Sequence, residues 1–155
     1  MPVAPLHCSI AYLINRWKLQ LSLPAFLVSS MVPDLEIPVL LLMTGGFRDR
    51  LVLHSLLGAA TIGMFLSVLL TVFLYPPAVS FFFKLDRRRV KERCSFSKVL
   101  VVSCIFGGAL HVIVDSMTHQ LNPVLYPFVS DSFDVFRLTN DWASSTLIVG
   151  SVLLG

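Results

Sequence analysis

The chain has 155 residues, 55% of them hydrophobic and only 14% charged, with a mean hydropathy of +0.81 and a formal charge of +3. A soluble domain carries roughly 25% charged residues, so this composition excludes an ordinary water-soluble globule and predicts a membrane protein built as one domain. Seven of the twelve Lys and Arg fall between positions 84 and 98, beside Asp86 and Glu92. Nucleic-acid binding by that cluster is the weaker reading, because apolar segments flank it on both sides. The positive-inside rule makes it a cytoplasmic loop instead.

Residues 8–18 carry Ile10, Leu13, Ile14 and Trp17 on one stripe and Asn15, Arg16 and Lys18 on the other side, the pattern of a short amphipathic helix. No signal peptide is expected there, since Arg16 and Lys18 interrupt the apolar core and no small-residue cleavage site follows. Residues 21–43 are apolar but contain Pro24, Pro33 and Pro38, with Asp34 and Glu36 near the centre. Interior prolines remove backbone hydrogen bonds. The stretch is therefore predicted to be two short helices meeting at Val32-Pro33-Asp34, in a broken, re-entrant path. Backbone of that kind is tolerated at membrane depth only where it lines protein or a wet cavity, and such breaks are common places for binding sites.

Thr44-Gly45-Gly46 reads as a turn, followed by the polar Arg48, Asp49 and Arg50. Residues 51–75 form the clearest spanning helix, closed by Pro76-Pro77; its length of about 37 Å is enough to cross the hydrocarbon core with some tilt. Residues 78–83, with Phe81, Phe82 and Phe83, form an aromatic shelf of the interfacial kind, and the basic loop 84–98 follows. Residues 97–119 form the second clear span, ended by Asn122-Pro123. A polar and aromatic connection covers 124–142. The apolar segment 144–155, about a dozen residues long, is too short to cross a bilayer; it either lies buried at an interface or begins a further helix in a truncated chain. Cys8, Cys94 and Cys104 form no C-x-x-C pair and no disulfide framework. The expected architecture is all-α, a multi-pass membrane bundle.

Four histidines, His7, His54, His111 and His119, lie in or at the edge of apolar segments, together with Asp34 and Asp115. Ionisable groups at such places are costly and usually face an interior. In His111-x-x-x-Asp115-x-x-x-His119 the three side chains drift by only about 80° around a helix, so they share one face. Imidazole nitrogens suit zinc and its neighbours, and a carboxylate supplies charge or bridges two ions. With 84–98 cytoplasmic, the first span runs outward to inward and the second runs back. His54, Asp115 and His119 then meet near the extracytoplasmic face. A lone intramembrane histidine is usually hydrogen-bonded to a neighbouring helix and does nothing more; four histidines with two acids favour a site for one or two divalent ions, or a catalytic site. Glu36 reads as a general base or an interfacial charge. Arg48 and Arg50 read as solvated flanking charges, with an anionic phosphate at the rim as the alternative. Gly107 and Gly108, with Ala59-x-x-x-Gly63, permit close helix approach.

These blocks also carry a likeness. Met1-Pro2-x-x-Pro5-x-His7, Ser30-Met31-Val32-Pro33-Asp34-Leu35-Glu36, His54-Ser55-Leu56-Leu57-Gly58 and His111-x-x-x-Asp115-Ser116-x-Thr118-His119 occur in this order. The chain thereby resembles small prokaryotic membrane proteins of unknown function related to the membrane-bound metal-dependent hydrolases, which include LexA-binding, inner-membrane-associated hydrolases. More remotely, its His and Asp pattern is similar to that of zinc-dependent phospholipase C. The resemblance implies an inner-membrane hydrolase with His7, Asp34, His54, His111, Asp115 and His119 as metal ligands. Asp34 or Asp115 would take or orient a proton of a zinc-activated water. The implied substrate is a lipid or other membrane-associated ester or phosphoester. The competing expectation is an intramembrane metal-binding or ion-transport module without hydrolytic activity.

Overall fold

Three long apolar runs organise the chain into helices. In the computed structural model, which describes residues 20–46, 50–118 and 122–129, all regular structure among the described residues is helical. The first run is broken as the prolines require. Helix α1 (Leu23–Ser29) begins with Pro24 in its first turn, where a missing N–H costs nothing. A 3₁₀ turn, Val32–Leu35, follows, and helix α2 (Glu36–Thr44) ends at Gly45 in the left-handed region with φ 63°. By length and hydropathy Leu23–Thr44 qualifies as a candidate membrane span of 22 residues.

Helix α3 runs through Leu56–Phe83 and is the longest candidate span at 28 residues. Both of its ends differ from the 51–75 expected from hydropathy. Residues 51–55 are bends and turns instead of helix, with the backbone N–H groups of Leu51, Val52 and Leu53 donating to the Glu36 carboxylate. The helix starts only where the Ser55 hydroxyl accepts from the Gly58 N–H at 2.9 Å, an N-cap arrangement. At the other end Pro76-Pro77 does not close the helix, which runs on to Phe83. A π-helical turn over Leu70–Leu74 precedes the prolines. Such a turn rearranges the carbonyl ladder that the prolines leave without donors. The aromatic shelf is thus the last turn of α3, with Phe81, Phe82 and Phe83 exposed.

The basic connection holds a short helix, α4 (Arg87–Arg93), whose first turn is capped by Asp86 Oδ1 accepting from the Arg88 N–H at 3.0 Å. Cys94 ends it, and burial pushes that thiol's pKa up; Cys94 and Cys104 are both free thiols. Helix α5 (Lys98–Thr118) contains the third candidate span, Lys98–Ser116, and agrees with the expected 97–119 over the described residues.

Small and hydroxyl-bearing residues let these helices meet. The Ser22 N–H donates to Ser103 Oγ at 2.8 Å, and further along the Ser30 carbonyl meets His111, so α1 and α5 run in the same direction. Gly108 faces Ala59, while the earlier Leu100 and Cys104 pack with the later Met64, Val68 and Val72, so α3 is antiparallel to α5. Hydroxyls within the spans are satisfied locally: Ser67 Oγ donates to the Gly63 carbonyl at 2.6 Å and Ser103 Oγ to that of Val99 at 2.7 Å, as an apolar surround requires. Ala25, Leu100 and Cys104 form the buried core, with Met64, Val68 and Val72 packed on it.

Gly107 lies at a close approach of α1 and α5. A Cβ there would lie 2.6 Å from the Phe26 carbonyl oxygen and collide with Ser29 Oγ. Gly107→Ala is expected to destabilise the protein by about 1–3 kcal/mol through overpacking against backbone, read as a lower thermal unfolding midpoint in detergent. An unchanged midpoint would contradict this close approach.

Candidate metal centre

The break in the first run decides where the donor atoms point. Pro33 has no N–H, and the Asp34 N–H turns back to the Met31 carbonyl at 3.2 Å. The Ser30 carbonyl is thereby released from the helical ladder, and Nδ1 of His111 donates to it at 2.7 Å. His54 is oriented in a parallel way: its Nδ1 donates to Glu36 Oε2 at 3.1 Å. Glu36 also accepts from the backbone N–H groups of Leu51, Val52 and Leu53 at 3.1, 2.7 and 3.1 Å. An acceptor at each Nδ1 assigns the proton there and leaves the lone pair on Nε2. This is the arrangement by which carboxylates and carbonyls orient metal-binding histidines.

Both Nε2 atoms face one small space. His54 Nε2 lies 3.6 Å from Asp115 Oδ2; His111 Nε2 lies 3.7 Å from the same oxygen and 3.6 Å from Asp34 Oδ1. The two rings are 5.4 Å apart at an interplanar angle of 68°. One donor atom each from Asp34, His54 and His111 falls within 4.8 Å of the others. Tetrahedral zinc with bonds of about 2.0–2.1 Å holds neighbouring ligand atoms roughly 3.4 Å apart. The nitrogen–oxygen separations of 3.6 and 3.7 Å exceed that edge by only a few tenths of an ångström, and they are too long for direct hydrogen bonds.

Burial and charge fit a cation as well. His54 is fully buried, yet among the described residues its Nε2 makes no hydrogen bond, a costly state unless something takes the lone pair. Arg50 Nε stands 3.2 Å from Asp115 Oδ2, both side chains nearly buried. Asp34, Glu36 and Asp115 bring three carboxylates to this end of the bundle, with Arg50 beside Asp115, and carboxylates gathered out of water favour a cation among them.

Of the six residues expected as ligands, the structure brings together Asp34, His54, His111 and Asp115; His7 and His119 lie outside the described residues. Glu36, which the sequence leaves open between a general base and an interfacial charge, is a clasp for His54 and three backbone amides. Arg50, which reads as a solvated flanking charge or a phosphate contact at the rim, is a buried partner of Asp115. The available signal was the one that marked the histidines: a charge inside or beside an apolar run needs a partner.

A family model described as a domain of unknown function, DUF4184, matches residues 1–129. The chain belongs to the DUF4184 family. No curated protein and no solved structure gives a significant match. The DUF4184 segment contains the four converging residues together with Glu36 and Arg50.

The orienting role of Glu36 is testable. Glu36→Gln keeps the shape but loses the charge that collects these donors, and is expected to weaken zinc binding by about 10–100-fold, measured by competition with a chelator. His54→Ala and His111→Ala are expected to abolish it. Zinc affinity equal to wild type in all three variants would contradict the centre.

Proposed function

We propose that this DUF4184 protein is a membrane-embedded, metal-dependent hydrolase that acts on a lipid or other membrane-associated phosphoester, with zinc as its ion. The observation that carries the proposal is the convergence of two oriented Nε2 atoms on the carboxylates of Asp34 and Asp115. Two neutral imidazoles with carboxylate oxygens are a donor set suited to zinc. Once bound, a divalent ion supplies the charge that acidifies a water and polarises a phosphoryl or acyl oxygen. His54 and His111 serve as ligands with Asp34 and Asp115, and His7 and His119 are proposed to complete the set. Asp34 and Asp115 also hold the catalytic role: Asp115 is fixed by Arg50, while the partly exposed Asp34 is placed to accept a proton.

The resemblance to membrane-bound metal-dependent hydrolases, and remotely to zinc-dependent phospholipase C, points the same way. With the basic stretch 84–98 on the cytoplasmic side of a prokaryotic inner membrane, the start of α3 and the end of α5 lie near the extracytoplasmic face. The clustered polar groups sit at that one end of α3 and α5, which supports a fixed site over a conduction path.

The test is hydrolysis by zinc-loaded protein of a phosphodiester bearing an alkyl chain. Cleavage is expected in wild type and expected to fall to background in His111→Ala and Asp115→Ala. Zinc flux into proteoliposomes without any cleavage would contradict the hydrolase and favour a transporter.

A further inference from the structure

A groove of about 350 Å³ opens on the flank of the bundle, between the broken first run and α3. One wall includes Val28, Met31 and Leu35, and the other includes Leu70, Leu74 and Ala78. Its volume is in the range of small-molecule sites. Its lining is apolar apart from the Tyr75 ring and one carboxylate, that of Asp34. Among the described residues, Asp34 is also the one member of the candidate centre with an appreciable opening: its side chain is 29% exposed, against 0–2% for His54, His111 and Asp115. The opening of the centre therefore coincides with the groove, which Asp34 lines together with Leu70, Leu74 and Ala78 of α3.

The geometry points to one occupant: a hydrocarbon chain of a bilayer lipid, bound so that its ester or phosphoester head lies at Asp34. Both walls belong to candidate membrane spans. Met31, Leu35 and Leu74 are exposed along the groove, on a surface that faces hydrocarbon when those spans are in a bilayer. A substrate dissolved in lipid thus reaches the buried donors sideways, chain first along α3, without leaving the membrane. The inference rests on the hydrolase reading for the fate of the head, but binding of the chain is measurable without turnover.

The experiment places the full chain, zinc-loaded, in nanodiscs containing phosphatidylglycerol with a diazirine in its acyl chain, and maps photolabelled residues by mass spectrometry. Labelling is expected to concentrate on Met31, Leu70 and Leu74 above the level on the Ile62 and Phe65 face of α3, whose residues are also exposed. Leu74→Trp, and more mildly Ala78→Leu, fill the groove away from the metal ligands. Both should bring groove labelling down to the level of the Ile62 face while bound zinc stays equal to wild type. Ile62→Trp should leave the groove labelled. Labelling in the groove no stronger than on the Ile62 face, or undiminished in both filled variants, would overturn the chain site even in a protein that hydrolyses its substrate. Labelling as expected in a protein that binds zinc but cleaves nothing would support the chain site and overturn the hydrolase reading alone.

Discussion

The Glu36 carboxylate holds the molecule's two halves together at the place that matters. It begins α2, directly after the break in the first apolar run, and it reaches the backbone 15 to 17 residues later at Leu51, Val52 and Leu53. One oxygen also accepts from Nδ1 of His54. A single side chain therefore ties the turn that precedes α3 onto the broken segment and aims an imidazole. Charge-assisted bonds of this type are roughly twice as strong as neutral ones. Four donors on one nearly buried carboxylate make it a fixed point around which the other donors are arranged.

The rest of the centre follows from defects in helices. Regular α-helix would have consumed the Ser30 carbonyl internally; the break at Pro33 leaves it for His111. The Leu51–Leu53 amides, which lie ahead of α3 and have no helical acceptors, are satisfied by Glu36. Backbone groups are obligatory partners wherever water is excluded. A broken helix inside an apolar bundle thus supplies orienting groups that an intact one cannot. The four side chains Asp34, His54, His111 and Asp115 are then presented by three separate runs of sequence, packed closely because Gly107 and Gly108 let α5 approach α1 and α3.

Much of this is legible in the sequence, and the remainder is hidden for physical reasons. His111 and Asp115 are readable as one face because the helical period is local and fixed. Pro33 announces the break at Asp34 for an equally local reason. The start of α3 is not readable: residues 51–53 are apolar like those that follow His54 and Ser55, and the partner of their amides is a carboxylate 15 to 17 residues away that no local propensity encodes. Pro76-Pro77 misleads in the opposite sense, since a widened turn at Leu70–Leu74 lets the helix continue through a pair that ordinarily ends one. Arg50 looks like a solvated flank until folding brings Asp115 to within 3.2 Å of it. Local rules capture periodicity and breaks, whereas side-chain partnerships across the bundle appear only in three dimensions.

Extended X-ray absorption at the zinc edge, on metal-loaded protein purified in detergent, reads the ligand shell of the centre directly. The expected spectrum shows imidazole scattering from two or more histidines with nitrogen and oxygen neighbours at about 2.0–2.2 Å, and that imidazole signal falls by one histidine in His54→Ala. A shell of water oxygens alone, or one dominated by sulfur at about 2.3 Å, would contradict the convergence of His54, His111 and the two aspartates on one ion.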